Sequence, residues 1–244
     1  MMIVGGGEQG GRMRVAVVHN IDPSDMGQVG VALTEAGVEV VEYHPHRDGV
    51  LPTLAEGFDG LAVLGGEQSA LDDDRHPYLP ALAALMAEAA AGARAVLGIC
   101  LGSQVLARGL GGENSLGTAP EFGWTEIGLT KAGRADPVLS AAGPSFRSFE
   151  WHSDTFTLPP GAERLATGQA VPMQAYRWGR AAYGMQFHFE ANRSVVRAWT
   201  EGFAGAVARM RPDWTDRYPD EEAAHGAAAD AAGLAIARAW VRRL

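Results

Sequence analysis

Ala95–Gly109 reads AVLGICLGSQVLARG. The apolar run Ala95–Ile99 has the length and composition of a buried strand, and a helical pattern over Leu101–Gly109 follows with no loop between them. Cys100 stands at the junction, with Gly98 two residues before it and Gly102 two after. A strand that runs straight into a helix is half of a βα unit.

The N-terminal part of the chain repeats this unit. Arg14–His19 (RVAVVH) is a short apolar strand; the loop Asn20–Ser24 and a helical pattern to Ala36 follow, with Gly37 at the helix C-terminal cap. Val38–Tyr43 is the second strand, and Gly60–Leu64 the third, ending on Gly65-Gly66. Pro80 opens a helix near Ala81–Ala91 that Gly92 stops. Short apolar strands alternating with helices predict an α/β fold with an open, mostly parallel sheet flanked by helices. After Gly111 the rhythm changes. Strand-like pieces at Thr125–Leu129, Ser145–Glu150, Leu165–Thr167, Gln174–Arg177 and Ala182–Phe187 are separated by Gly and Pro turns, and predict antiparallel additions to the same sheet. Asn192 is placed to cap a helix through Met210, which Pro212 breaks, and a last Ala-rich helix covers about Glu221–Arg243. The expected organisation is a loose Gly-rich segment 1–12, a single domain 13–244, and a helical extension of that domain over about 212–244.

Composition limits the function. Of 244 residues, 47% are hydrophobic and 20% charged, enough for a real core. The net charge of −9 gives no electrostatic reason to bind nucleic acid or an anionic membrane. One cysteine makes neither an internal disulfide nor a cysteine zinc site. Neither a secretory signal nor a membrane span is legible, so a cytoplasmic location is expected.

Gly98-Ile99-Cys100-Leu101-Gly102 has the spacing of a nucleophile elbow, in which a strained turn holds the nucleophile and crowding admits only glycine at the flanks. The start of a helix beside the sulfur offers free N–H groups and the positive end of a dipole. These favour a thiolate and stabilise an oxyanion. A thiol nucleophile needs a base, and the base an orienting acid. Phe187-His188-Phe189-Glu190 supplies both at the end of a strand, with His188 and Glu190 two apart and on one face if the chain stays extended. Other histidines compete less well. His44 and His46 form an H-x-H with no third ligand at suggestive spacing, so no metal and no cofactor is expected. His19, His76 and His225 read as structural or solvated, and Asp72-Asp73-Asp74 as a solvated acidic loop.

Taken together, these residues resemble the class I, triad-type glutamine amidotransferases, in particular the glutaminase domain of GMP synthase and its stand-alone relatives. Gly98–Ala107 (GICLGSQVLA) is similar to that family's nucleophile motif and Gln174–Glu190 (QAYRWGRAAYGMQFHFE) to its His/Glu motif. Gly65-Gly66 matches the glycine pair opposite the nucleophile, and Trp151-His152-Ser153-Asp154 the substrate loop. The resemblance spans about Met13–Phe203 and implies a flavodoxin-like sheet. It implies that Cys100 attacks the carboxamide of glutamine or a γ-glutamyl compound, with Gly65, Gly66 and Leu101 around the oxyanion. His188 then serves as base and Glu190 as its orienting partner. Gln104, His152 and Ser153 would contact substrate, the last two at its α-carboxylate or α-amino end. Ser103 stands where many relatives carry His, Glu67 where Pro is frequent, and Phe189 where Pro is common between the catalytic His and Glu. The leading expectation is a glutaminase that passes ammonia to a separate synthetase or other acceptor protein, since no P-loop and no synthetase domain is legible. A γ-glutamyl peptidase using the same triad and a non-catalytic regulatory module are the alternatives. Oligomeric state is not encoded in any motif.

Overall fold

The computed structural model describes residues 12–244. The segment expected to be loose lies outside these except for Arg12, whose Nε donates to the Gly37 carbonyl at 2.6 Å. Strands are β1 (Arg14–Val18), β2 (Glu39–Tyr43), β3 (Gly60–Val63), β4 (Ala95–Ile99), β5 (Asn114–Ser115), β6 (Glu121–Leu129), β7 (Ser145–His152), β8 (Thr155–Phe156), β9 (Glu163–Thr167), β10 (Ala175–Trp178) and β11 (Ala182–Met185). Helices are α1 (Gly27–Glu35), α2 (Pro45–Asp48), α3 (Leu79–Ala91), α4 (Leu101–Gly109), α5 (Lys131–Ala135), α6 (Arg193–Gly202), α7 (Ala204–Met210), α8 (Trp214–Glu221) and α9 (Ala227–Val241).

Nine strands form one sheet in the order β2-β1-β3-β4-β11-β10-β9-β6-β7, and β5 pairs with β8 apart from it. The strands β2, β1, β3, β4 and β11 run parallel. Their uninterrupted apolar sequences follow from burial on both faces: β3, β4 and β11 are buried at every position. One face packs Leu33 of α1 and Trp240 of α9 against Val15, Val17, Leu97 and Tyr183. The other packs Leu82 and Met86 of α3 and Val105 of α4 against Ala16, Leu61 and Val96. A third cluster joins Trp124 of β6 and Phe149 of β7 to Val196 of α6, Val207 of α7 and Trp214 of α8.

Several local readings change. The piece at Ala182 is not an antiparallel addition: it lies parallel to β4, Ala182 opposite Val96, and ends at Met185 rather than Phe187. β6 begins at Glu121, four residues earlier than its apolar pattern suggests, because Gly123 (φ +103°) resembles a turn in sequence yet sits inside the ladder to β7. A Cβ on Gly123 would lie 3.0 Å from Arg211 Nη1 and 3.3 Å from Trp214. Asn192 caps α6 as expected, its side chain accepting from Val195 N–H at 3.1 Å, but that helix ends at Gly202 and α7 restarts after Phe203. The last helix, expected over about Glu221–Arg243, opens on a π-helical turn Glu222–Gly226 and continues as α9, and α8 runs into it from the N-terminal side. Gly37 closes α1 with φ +66°, its N–H bonded to the Thr34 carbonyl at 3.0 Å.

Candidate active site

The carboxyl ends of β1, β3, β4 and β11 converge on one cavity of about 340 Å³, where open parallel sheets collect their sites. Its lining includes Gly65, Gly66, Cys100, Leu101, Gln104, His152, Ser153, His188 and Glu190, all of the candidate site residues read from the sequence.

Cys100 has φ +51° and ψ −110°, a conformation that side chains with a Cβ rarely adopt. Its N–H is tied to the Met185 carbonyl at 2.8 Å, and its own carbonyl accepts from Ser103 N–H at 3.0 Å and Ser103 Oγ at 2.7 Å. The flanking glycines are required by space. A Cβ on Gly98 would lie 2.3 Å from the Gly102 carbonyl oxygen, and one on Gly102 2.1 Å from that of Val63. Strand β4 therefore turns into α4 with backbone packed directly on backbone, its own and that of β3. Ser103 is fully buried and serves this turn rather than the cavity.

His188 lies just past β11, in a turn. Its N–H donates to the Phe149 carbonyl of β7 at 2.8 Å, and Nδ1 sits 2.7 Å from Glu190 Oε1. The expected pair is thus formed, but by a turn in which Ala191 N–H bonds back to the His188 carbonyl at 3.2 Å, not by strand alternation. Trp199 of α6 stands edge-on to the imidazole, centroids 5.0 Å apart. The point a Cβ would occupy on Gly65 lies 3.0 Å from His188 Cε1 and 3.5 Å from Cys100 Cβ, so the missing side chain lets ring and nucleophile approach. Burial by itself would lower the His188 pKa. The Glu190 carboxylate and the Cys100 sulfur outweigh it and hold the imidazole well above its ordinary 6.5.

Leu101 N–H, first of α4, has no helical acceptor. Gly66 N–H donates to no backbone carbonyl among the described residues. Both N–H groups are therefore without a backbone acceptor beside the cavity. Gln104 gives Nε2 to Gln186 Oε1 at 3.1 Å and to the Asp154 carbonyl at 3.4 Å, which leaves its own oxygen for the cavity.

His152 lines the cavity but has both ring nitrogens engaged within the protein. Nδ1 is 3.0 Å from the Asp154 carbonyl, and Nε2 is 3.2 Å from Glu121 and 3.3 Å from Glu150. Both nitrogens are thus engaged within the protein, while Ser153 Oγ has only a 3.6 Å contact to Met210 sulfur. Burial opposes charge on His152, yet the two carboxylates prevail and push its pKa up to about 10. Burial drives the Glu150 carboxyl upward, with His152 opposing. Glu121 and Glu150 carry no signal in the sequence. Only the register of β6 on β7, with Glu121 opposite His152, brings them together.

The sequence also missed a wall. Trp199 of α6, Phe203 at the break, and Ala206, Arg209 and Met210 of α7 line the cavity, and Trp151 packs edge-on against Trp199 and Phe203 at 5.9 Å. From the other side Ile21, Pro23, Ser24 and Asp25 contribute.

A family model described as glutamine amidotransferase class-I matches residues 25–198. The chain is 36% identical over 187 residues to a glutamine amidotransferase-like protein of Salmonella typhimurium, YfeJ, covering 70% of this chain and 78% of that protein. It is 30% identical over 161 residues to a glutamine-hydrolyzing GMP synthase subunit of Sulfolobus acidocaldarius, covering 65% of this chain and 79% of the relative. The crystal structure of a glutamine amidotransferase from Thermotoga maritima superposes with a TM-score of 0.81 over 94% of this chain and 99% of the other, at 24% identity, which is a likeness of fold.

Proposed function

We propose that this chain, which belongs to the class I glutamine amidotransferase family, cleaves the side-chain amide of glutamine through a γ-glutamyl thioester on Cys100. The observation that carries the reading is a cysteine in a left-handed turn at a helix start, facing an imidazole that Glu190 holds at 2.7 Å. With its pKa raised, His188 is a strong acceptor for the Cys100 proton, and that transfer gives the nucleophilic thiolate. The thiolate attacks the carboxamide carbon, and the Gly66 and Leu101 N–H groups stabilise the oxyanion. As the tetrahedral adduct collapses, its nitrogen takes the proton from His188 and departs as ammonia. A water then gives its proton to the neutral imidazole and attacks the thioester, releasing glutamate. Glu190 keeps the tautomer and aim of the ring through both steps. The Gln104 oxygen and Ser153 hydroxyl bind the amino-acid end of the substrate.

Ammonia formed this way serves a separate acceptor enzyme, in keeping with a relative named as one subunit of a GMP synthase. A second reading, hydrolysis of γ-glutamyl amides or peptides, draws on one feature: the cavity lining includes the exposed Arg209 of α7, a partner for a carboxylate on the leaving amine.

The test is mass spectrometry after exposure to an electrophilic glutamine analogue, paired with ammonia release from glutamine. Labelling confined to Cys100 and ammonia formed with glutamate are expected. A folded protein that stays unlabelled and releases nothing from glutamine or γ-glutamyl amides refutes the catalytic reading. Turnover of the amides with none of glutamine selects the second.

A further inference from the structure

Beside the cavity, the carboxyl ends of β1 and β2 carry a second group of side chains with chemistry. His19 follows β1, Glu42 lies in β2 and His44 follows β2. Each offers one ligand atom, and the three atoms lie within 4.8 Å of one another. His19 is only 2% exposed, and neither of its ring nitrogens has a hydrogen-bond partner. Its Nε2 is 3.0 Å from Glu42 Oε2, but the oxygen lies off the direction an N–H would take, so the contact is not a hydrogen bond. The His44 ring stacks on His19 at 4.7 Å between centroids, and His44 Nδ1 is buried without a partner as well.

Buried polar nitrogens without partners are disfavoured, so a cluster of them facing a carboxylate calls for something between them. Two imidazoles and one carboxylate are a donor set that zinc takes, with water in the fourth position. Ligand atoms each roughly 2.0–2.2 Å from one ion end up about 3–3.5 Å apart with their lone pairs aimed at the ion rather than at each other. The 3.0 Å between His19 Nε2 and Glu42 Oε2 is a separation of this size. His46 does not belong to the set: its nitrogens are taken by the His19 carbonyl at 2.9 Å and by Asp22 at 2.8 Å, and Asp22 also holds Arg47.

We propose that His19, Glu42 and His44 bind a divalent transition-metal ion of the zinc class, with an open position toward solvent on the side of the half-exposed Glu42. The ion ties the ends of β1 and β2 at the root of the segment Ile21–Asp25 that lines the cavity. The next residue, Asn20, donates to the Leu64 carbonyl at 2.8 Å and so links this site to the Gly65-Gly66 turn. The site is independent of the catalytic assignment.

The test uses the full chain carrying Cys100→Ala, which removes the competing thiol, after stripping with chelator. Elemental analysis following a zinc titration should give about one ion per chain, and zinc should raise the unfolding temperature. Cobalt in its place should show ligand-field bands of a nitrogen and oxygen site. Glu42→Gln and His44→Gln lie on partly exposed positions and should each weaken binding by about 100-fold with the apo unfolding temperature retained. Absence of stoichiometric zinc in the Cys100→Ala chain overturns the proposal, as does unchanged affinity in both variants.

Discussion

Cys100 and His188 face the same cavity but are held there by different means. Cys100 is set chiefly by its neighbours in sequence: Gly98 lets the backbone of Gly102 pack on the end of β4, and the turn is then seated against Val63 of β3 and Met185 of β11. His188 is set by segments far away in the chain. Gln28 N–H of α1 donates to the Glu190 carbonyl at 2.8 Å, and a Cβ on Gly27 would lie 1.9 Å from that same oxygen. On α9, a Cβ on Gly233 would meet the Phe189 carbonyl at 2.0 Å. The bond from His188 N–H to Phe149 comes from β7. One half of the site is thus a local motif, and the other is a turn gripped by helices from both ends of the chain. Phe189, buried at 3% exposure, supplies an apolar anchor for that grip, its ring 6.3 Å from that of Phe187.

The comparison can be broken in several ways. Cys100→Ser should have the largest effect, a loss of about 10⁴-fold or more in glutamine turnover with the unfolding temperature unchanged, measured by ammonia release and thermal melting. Near-normal turnover would remove Cys100 from the chemistry. Glu190→Gln should come next, lowering kcat by about 10²–10⁴-fold while the analogue still labels Cys100, since the base loses its charged partner but the nucleophile stays.

Paired glycine variants sharpen the distinction between the two means of support. Gly102→Ala and Gly233→Ala each drive a methyl into backbone and should each cost about 1–3 kcal/mol in denaturant unfolding. Their kinetic signatures should differ. Gly102→Ala displaces the elbow and slows alkylation of Cys100. Gly233→Ala shifts the Phe189 turn and lowers kcat with alkylation by a small neutral reagent far less affected. Equal alkylation rates in the two would show that elbow and turn are not separately supported.

The smallest expected effect concerns pH. The His152 pKa is raised from 6.5 to about 10 in the folded protein, so its contribution is fully present below pH 6.5 and is lost as pH rises toward 10. The raised pKa values of His188 and Glu150 act in the same direction. Unfolding free energy should therefore decline across that window, and His152→Gln should flatten the slope. A slope identical to that of the parent would mean the ring is not held as a cation between Glu121 and Glu150.

Much of this was readable from the residues. Apolar runs of strand length alternating with helix patterns revealed the parallel half because β1, β3 and β4 are buried on both faces and leave a dense signal. The elbow was readable because steric crowding there admits glycine alone. The antiparallel half was harder: β6 holds a positive-φ glycine, and the break at Phe203 has no Pro or Gly at the residue itself. Pairing of β1 with β2 sets Val18 opposite Tyr43 and so brings His19 against His44, a contact that the spacing of His44 and His46 does not show.

By itself the sequence determined the parallel core, the glycine-flanked turn that carries the candidate nucleophile Cys100, and the candidate pair His188 and Glu190. These depend on contacts between near neighbours and on the period of apolar residues, both of which a linear string records. The aim of His188, the buried Glu121–His152–Glu150 group, the wall from α6 and α7, and the His19–Glu42–His44 cluster were decided only in three dimensions. Each depends on strand register or on close approach of distant backbones, which arise when the sheet pairs and its helices pack.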